Sequence, residues 1–303
     1  MSATMAANTA RPGAVAETGG ANLKGIAGSI ATEVFVLRKR VSTWVLLGVW
    51  VALAGFFAYI LPYVTYRNER GDPGAEPLDA LLPANFVAAV SGGFPFFGGA
   101  IALMLGVLSV GSEFGWGTWK TLLTQRPGRL TVFGAKLAAL AIALIPFVVL
   151  TYAVGAIGSA VIAQQESAAS DWPTVWEITR GILAGWLVLA TWTALGVMLA
   201  TLTRGTALAI GIGILYALVV EGLVTALVGV IDVLEPVVEI FLRANAYSLV
   251  DAVGVARDDV AQNGPGAFDG PFVGWVQAVV TLVVYCGIFT GISAWALRRR
   301  DVV

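Results

Sequence analysis

The sequence has no histidine and a single cysteine, Cys286, among its 303 residues. The absence of histidine excludes Ser–His–Asp triads, imidazole proton shuttles and His-ligated metal sites. One cysteine can form neither an internal disulfide nor a cysteine metal cluster. Charged residues make up only 12% of the chain, against roughly 25% in soluble domains. The formal net charge of −1 also argues against nucleic-acid binding.

Apolar residues are correspondingly abundant. They make up 58% of the chain, glycine adds another 36 residues, and the mean hydropathy is +0.83. Soluble domains contain roughly 45–50% apolar residues even when glycine is included. Such a chain has too few polar groups to cover a globular surface, so lipid must solvate much of it. We therefore expect an integral membrane protein.

Six nearly uncharged windows are long enough to cross a bilayer as helices, which takes about 20 mainly apolar residues. They cover residues 41–64, 86–110, 130–163, 181–202, 205–231 and 272–297. If the N-terminus lies inside, 13 of the 18 Lys and Arg residues fall on the inner side. Because Lys and Arg favour cytoplasmic loops, we expect a multi-pass plasma-membrane protein with both termini in the cytoplasm.

The segment before the first window has an amphipathic pattern. Residues 1–20 are rich in Ala, Thr and Gly, lack the order of a signal peptide, and are expected to form a flexible cytoplasmic tail. Residues 21–40 predict a helix lying along the cytoplasmic interface, and the alternative is an ordinary basic anchor preceded by a frayed helix. The apolar stripe of that helix consists of Leu23, Ile26, Ala27, Ile30, Val34, Leu37 and Val41.

The loop of residues 111–129, between the second and third windows, contains a short helix signal. Thr118 is a suitable N-cap for a helix over residues 119–125, which Pro127 and Gly128 would end. Seven residues give a helix of only about 10 Å, which is too short to be stable alone. We therefore expect it to dock on a partner, and the alternative is a basic loop with an incidental cap. Its apolar and basic side chains are Trp119, Leu122, Leu123, Lys120, Arg126 and Arg129.

At this loop the chain resembles the membrane subunits of type-2 ABC exporters. The resemblance rests on Glu113, the pair Gly117-Thr118, Leu123, the pair Arg126-Pro127 with Arg129, and Lys136 at the start of the third window. It covers nearly the whole chain. It implies an all-α membrane protein with six transmembrane helices. An N-terminal interfacial helix, a cytoplasmic coupling helix and short extracellular re-entrant helices before the last span are also implied.

The resemblance also implies roles and partners. Glu113, Gly117 and Thr118 would shape and cap the coupling helix, whereas Trp119, Lys120, Leu122 and Leu123 would contact a cytoplasmic ABC ATPase. Two ATPase subunits and a second permease half, either a copy or a paralogue, would complete the transporter. The ATP-binding pattern GxxxxGK[ST] is absent from the sequence. We therefore expect no cofactor bound by this chain, with ATP and Mg in the partner subunit.

Small residues repeat every four positions in two windows, which lets helix backbones approach closely in lipid. By resemblance the second and fifth spans line a substrate route and a dimer contact, and the alternative is packing within one subunit. Pro95 and its neighbouring glycines predict a kink, where Phe94, Phe96 and Phe97 are candidates to face an apolar substrate. The stripes are Gly98, Ala102 and Gly106 in the second window, and Gly205, Ala209, Gly213 and Ala217 in the fifth.

Glu221 is the one charge deep inside a window, and such residues are functional candidates by default. It lies 17 residues beyond Arg204, which places it about 25 Å into a core of about 30 Å. It is either a substrate or gate contact or a structural group near the outer interface. In the outer loop of residues 232–271, residues 236–253 have enough apolar residues for one or two short helices. The alternative for that stretch is an exposed loop.

These patterns favour the permease of an ATP-driven exporter, a transport subunit rather than an enzyme. A secondary ion-coupled transporter would have several intramembrane charges and paired broken helices, whereas the windows contain one acidic residue, Glu221, and no clear internal repeat. A non-transporting membrane scaffold or sensor is the remaining alternative. The substrate is left open.

Overall fold

A computed structural model describes residues 14–69, 78–115, 128–228, 231–254, 268 and 270–299. Every regular element within those ranges is helical, and none of them contains a strand. Among the described residues, five helices are long and apolar enough to cross a membrane. The expected class, an all-α membrane protein, is confirmed. The five helices are Val41–Asn68, Pro83–Gly115, Leu130–Gln165, Val175–Thr203 and Trp275–Arg299.

We number the main helices in chain order. They are α1 (Ala14–Lys39), α2 (Val41–Asn68), α3 (Pro83–Gly115), α4 (Arg129–Gln165), α5 (Val175–Thr203), α6, α7 (Leu242–Asp251) and α8 (Trp275–Arg299). Helix α6 consists of Ala207–Leu215, a π-helical segment Tyr216–Val220 and Glu221–Val228, and it covers most of the fifth apolar window. Short helical turns lie at Leu78–Leu81, Asp232–Leu234 and Glu235–Val238.

Helices α3 and α5 form the centre of the bundle. In their most apolar stretches 67% and 61% of residues are buried, against 39% in α4, 28% in α2 and 22% in α8. The outer faces of α2, α4 and α8 carry exposed Val, Ile and Trp side chains. Lipid hydrocarbon solvates apolar side chains as well as a protein core does. Apolar residues can therefore occupy every face of these three helices.

Glycines bring α3 and α5 into backbone contact. A Cβ atom at Gly106 would overlap the carbonyl oxygen of Thr193, and one at Gly196 would overlap that of Leu103. The Thr193 hydroxyl donates to the carbonyl of Ala102 across the same contact, at 3.2 Å. The small-residue stripe of the second window therefore packs within the chain, which was one of its two predicted uses.

The stripe of the fifth window also packs against α3. Ala209 is fully buried, and a Cβ at Gly213 would lie 2.6 Å from the side chain of Leu103. Gly205 has only the Thr203 carbonyl near its Cβ position, at 3.9 Å, and Ala217 is partly buried. Contacts within one subunit thus account for the centre of this stripe.

Helix α1 begins earlier than the sequence pattern predicts. Residues 14–20 are helical, whereas a flexible tail was expected over residues 1–20, of which 1–13 lie outside the described residues. Alanines in this stretch favour the helix, because alanine has the highest helix propensity. The helix ends at Lys39, Arg40 takes an extended conformation with ψ 123°, and α2 begins at Val41. A separate helix therefore precedes the first span.

The region around Pro95 departs from regular α-helix, as the sequence predicts. A turn at Gly92 and Gly93 is followed by a π-helical segment, Phe94–Gly98. The amide of Gly98 donates to the carbonyl of Gly93, five residues back, at 3.0 Å. Proline has no amide hydrogen to donate, so the wider π turn restores hydrogen bonding after it.

The segment between α6 and α8 packs against α8 well beyond the first turn of that helix. The Tyr285 hydroxyl donates to the carbonyl of Ile240 at 2.6 Å, which places the turn before α7 about 15 Å along α8 from its first residue. The amide of Val273 donates to the Ser248 hydroxyl at 3.0 Å. Residues 236–253 thus contain the short helices expected, the end of Glu235–Val238 and α7.

Candidate functional site: two buried polar clusters

A group of four charged side chains, the basal cluster, joins four helices at one end of the bundle. It consists of Glu33 of α1, Arg40 at the α1–α2 junction, Glu113 of α3 and Lys136 of α4. The Lys136 ammonium lies 2.7 Å from Glu33 Oε2 and 2.6 Å from Glu113 Oε1. The Arg40 guanidinium lies 3.1 Å from Glu113 Oε1. Two cations and two carboxylates are therefore brought together with no excess of either sign.

Arg40 also reaches the backbone of α3. Its Nη1 donates to the carbonyl of Leu108 at 3.1 Å, to that of Ser109 at 3.3 Å and to the Ser112 hydroxyl at 3.1 Å. The break at Arg40 is what frees this side chain to point into the bundle. The α1–α2 junction is consequently anchored to the last turns of α3.

The members of the basal cluster are buried, and this determines how strongly each one affects stability. Lys136 is 2% exposed, Glu113 is 5% exposed and Glu33 is 9% exposed. Removing such charges from water costs several kcal/mol per ion, and close pairing offsets this only when every charge keeps a partner. Removing one member is therefore much more damaging than removing an exposed ion pair.

Two members of the basal cluster, Glu113 and Lys136, lie on either side of residues 116–127, the central part of the predicted coupling loop. Glu113 lies two residues before the end of α3, and Lys136 lies in the second turn of α4. Arg129 is the first residue of α4. The other predicted coupling residues lie outside the described residues, namely Gly117, Thr118, Trp119, Lys120, Leu122, Leu123 and Arg126. Glu113, predicted to shape the coupling helix, is held by Lys136 and Arg40.

Charged residues at apolar positions of α1 and α4 are a sequence signal for the basal cluster. Glu33 lies between Ile30, Val34 and Leu37, on the apolar face of α1, where a charge needs a buried partner. Lys136 likewise interrupts an apolar run. Opposite charges on two apolar faces indicate an ion pair, but the sequence does not show which faces meet.

A second cluster, the cap cluster, surrounds Glu221 at the N-terminus of α7. Oε1 of Glu221 accepts hydrogen bonds from the Tyr216 hydroxyl at 2.6 Å and the Leu242 amide at 2.8 Å. Oε2 accepts from the Arg243 amide at 3.1 Å. Glu221 is fully buried. A carboxyl at a helix N-terminus satisfies amides that have no partner within the helix and complements the helix dipole.

The Arg243 side chain lies among aromatic rings. Its guanidinium carbon is 5.5 Å from the ring centre of Phe96, 5.8 Å from that of Tyr247 and 5.9 Å from that of Phe268. Its Nη1 also approaches the Ala217 carbonyl of α6, at 3.5 Å. Cation–π contacts of this kind stabilise a buried cation. Arg243 thus links the π-helical segments of α3 and α6 to α7.

The three phenylalanines predicted to face a substrate occupy different environments. Phe94 is fully buried, 5.2 Å from the Trp50 ring centre. Phe96 packs on Arg243, as described above. Phe97 stacks on Phe57 of α2 at 4.7 Å. Phe94 thus belongs to the core of the bundle, whereas Phe96 and Phe97 pack against other side chains of the same chain.

We expect Glu221→Gln to destabilise the contact between α6 and α7 by about 2 kcal/mol, since hydrogen bonds to charged groups are worth about 1.5–3 kcal/mol. Glutamine keeps the shape but offers one acceptor oxygen in place of two. Thermal unfolding in nanodiscs measures the loss, and hydrogen exchange at the amides of Leu242 and Arg243 should accelerate. Glu235→Gln, at an exposed site, is the control. Equal effects of the two substitutions would contradict the capping role.

Comparison with known families matches the larger part of this chain. The profile of the family described as "Protein of unknown function (DUF2705)" matches residues 95–303, which is more than half of the chain. The chain belongs to the DUF2705 family. The DUF2705 match begins inside the π-helical segment of α3 and includes Glu113, Lys136, Glu221 and Arg243, whereas Glu33 and Arg40 precede it. A comparison with curated proteins found no match.

The family description states no activity, so the site itself has to indicate the chemistry. Within the described ranges no three His, Cys, Asp or Glu side chains lie close enough together to hold a metal ion. Both clusters consist of groups that bind one another across helices. Each cluster therefore links several helices to one another.

Proposed function

We propose that this chain is the membrane-spanning permease subunit of an ATP-driven ABC exporter. In this proposal α2 to α6 and α8 are six transmembrane helices in the plasma membrane, and both termini are cytoplasmic. Helix α1 lies along the inner interface, and α7 with the turn before it is re-entrant from the outside. Two cytoplasmic ABC ATPase subunits and a second permease half, a copy or a paralogue, complete the transporter. The direction of transport, out of the cell, is inferred from the resemblance to type-2 ABC exporters.

The observation that carries the proposal is the basal cluster on both sides of residues 116–127. Glu113 and Lys136 bond directly, so the end of α3 and the start of α4 are held as one unit on either side of that loop. Through Arg40 and Glu33 the same unit holds α1 and the start of α2. A displacement of the loop by an ATPase would therefore move four helices together as a rigid body.

The sidedness of the loop can be measured with single cysteines, because Cys286 is the one native cysteine. In a Cys286→Ser background, Lys120→Cys should react with a membrane-impermeant maleimide only in inside-out vesicles. Trp172→Cys, in the exposed turn between α4 and α5, should react only in right-side-out vesicles. Reaction of Lys120→Cys in right-side-out vesicles would rule out the coupling role.

Coupling is tested with the protein purified from its native membranes together with its ATPase partner. Replacing Gly117, Thr118 and Lys120 together by alanine should lower co-purified, vanadate-sensitive ATP hydrolysis about tenfold, which corresponds to about 1.4 kcal/mol of lost binding. The control replaces Thr179 and Arg180, which are exposed near the start of α5, by alanine. Unchanged ATP hydrolysis in the loop variant would contradict the proposal.

A further inference from the structure

Helices α2 and α4 run side by side in the same direction. The Trp50 indole donates to the carbonyl of Phe147 at 3.2 Å, and further along both helices the Tyr63 hydroxyl donates to Gln165 at 2.9 Å. Between these two contacts an apolar groove of about 330 Å³ opens at the surface. Its lining includes Ala52, Gly55, Phe56 and Ile60 of α2 and Ile157 and Gly158 of α4.

The groove follows from small residues and a local change of helix type. A Cβ at Gly158 would lie 2.9 Å from the ring of Tyr59, so this glycine is what lets the ring lie against α4. A Cβ at Gly55 would meet only Val154, at 3.2 Å. The π-helical segment Phe56–Ile60 coincides with the groove, and π segments in helices often mark functional sites. Phe56, Ile60 and Ile157 form an exposed apolar rim.

A cation lies beyond one end of the groove, on the same side of α2. Arg67 follows Ile60 by seven residues, or about 10 Å. Its Nη1 contacts the Tyr63 hydroxyl at 3.2 Å and Glu166 Oε1 at 3.4 Å, and its side chain is 56% exposed. In the part of the chain that the structure describes, its other N–H groups have no acceptor. The Glu166 side chain is only 6% exposed, so the guanidinium is the outward-facing charge.

We propose that this groove binds a membrane phospholipid, with one acyl chain between α2 and α4 and the phosphate at Arg67. An apolar slot between two candidate membrane spans opens towards hydrocarbon, where acyl chains are the available ligand. Arginine is suited to phosphate because its planar donors can bind two oxygens at once. The polar layer of a bilayer leaflet is about 5–8 Å thick, so a residue about 10 Å beyond Ile60 reaches the headgroups when Ile60 lies near the edge of the hydrocarbon. The inference requires membrane insertion and does not depend on transport.

The test uses the full chain in nanodiscs doped with a phosphatidylglycerol that carries a photoreactive diazirine in its acyl chain. Mapping of the labelled peptides should show about tenfold more label on residues 51–60 and 154–158 than on the exposed face of α8, equivalent to about 1.4 kcal/mol of preference. Excess unlabelled phosphatidylglycerol should abolish the difference. Ala52→Phe should fill the groove and remove the preference, whereas Leu61→Phe, at an exposed site outside the groove, should keep it.

The headgroup is tested with a diacylglycerol that carries the same photoreactive chain but no phosphate. It should label the groove severalfold less than the phospholipid does, and Arg67→Gln should lower phospholipid labelling to the diacylglycerol level. Arg180→Gln, at an exposed site on α5, is the control. Equal labelling of groove and α8, or equal labelling by the two lipids, would overturn the proposal. Efficient disulfide dimers from Ala52→Cys in a Cys286→Ser background, without groove labelling, would assign the groove to a second copy and also overturn it.

Discussion

Lys136→Met is expected to lower the free energy of unfolding by about 3–5 kcal/mol, the cost of breaking a buried ion pair by removing one partner. Methionine fills a similar volume, so the loss comes from charge. Glu33 would lose its partner in the cluster, and Glu113 would lose the closer of its two cluster partners and keep its contact with Arg40. Thermal unfolding of the full chain in nanodiscs, monitored by size-exclusion chromatography, measures this loss of stability.

The control for this prediction is Lys39→Met. Lys39 is exposed and lies over the ring of Phe35 at 5.5 Å, so its removal should cost at most about 1 kcal/mol. The triple substitution of Glu33→Gln and Glu113→Gln with Lys136→Met should recover part of the stability, because it removes the uncompensated carboxylates. If Lys39→Met and Lys136→Met behave alike, the basal cluster contributes no net stability.

The membrane helices could be predicted because their signal is local. A run of apolar residues long enough to cross the bilayer needs no knowledge of neighbouring segments, and α2, α3, α4, α5 and α8 coincide with five of the six windows. The charge at Glu221 was also visible. Its partners were not, because Leu242 and Arg243 meet it through backbone amides, and a backbone contact leaves no signature in side-chain type.

Pairings across helices could not be predicted for a related reason. In lipid there is little hydrophobic drive to choose one helix face over another, so apolar pattern alone does not show that α3 and α5 are central. The glycine stripes narrowed the choice but fitted packing within a subunit and between subunits equally well. Carbonyl contacts at Gly106 and Gly196 show that the second-window stripe is used within the chain.

Gly106→Ala should destabilise the protein by about 3 kcal/mol, the upper range for overpacking a tight contact. The added methyl group would overlap the Thr193 carbonyl, which is backbone and cannot rotate away. Relieving the overlap requires α3 and α5 to separate, which would also strain the Thr193 hydrogen bond to Ala102. Thermal unfolding in nanodiscs measures the change, and Gly196→Ala should have an effect of similar size.

The sign of the effect separates close packing from helix propensity. Alanine is favoured over glycine inside a helix by about 1 kcal/mol, so substitution at an open position should be neutral or stabilising. A methyl group added at Gly48 of α2 or at Gly211 of α6 would have no atom within 4 Å, so Gly48→Ala and Gly211→Ala are the matched controls. A stabilising Gly106→Ala would mean that α3 and α5 do not touch there. The central helix pair of the bundle would then have to be a different one.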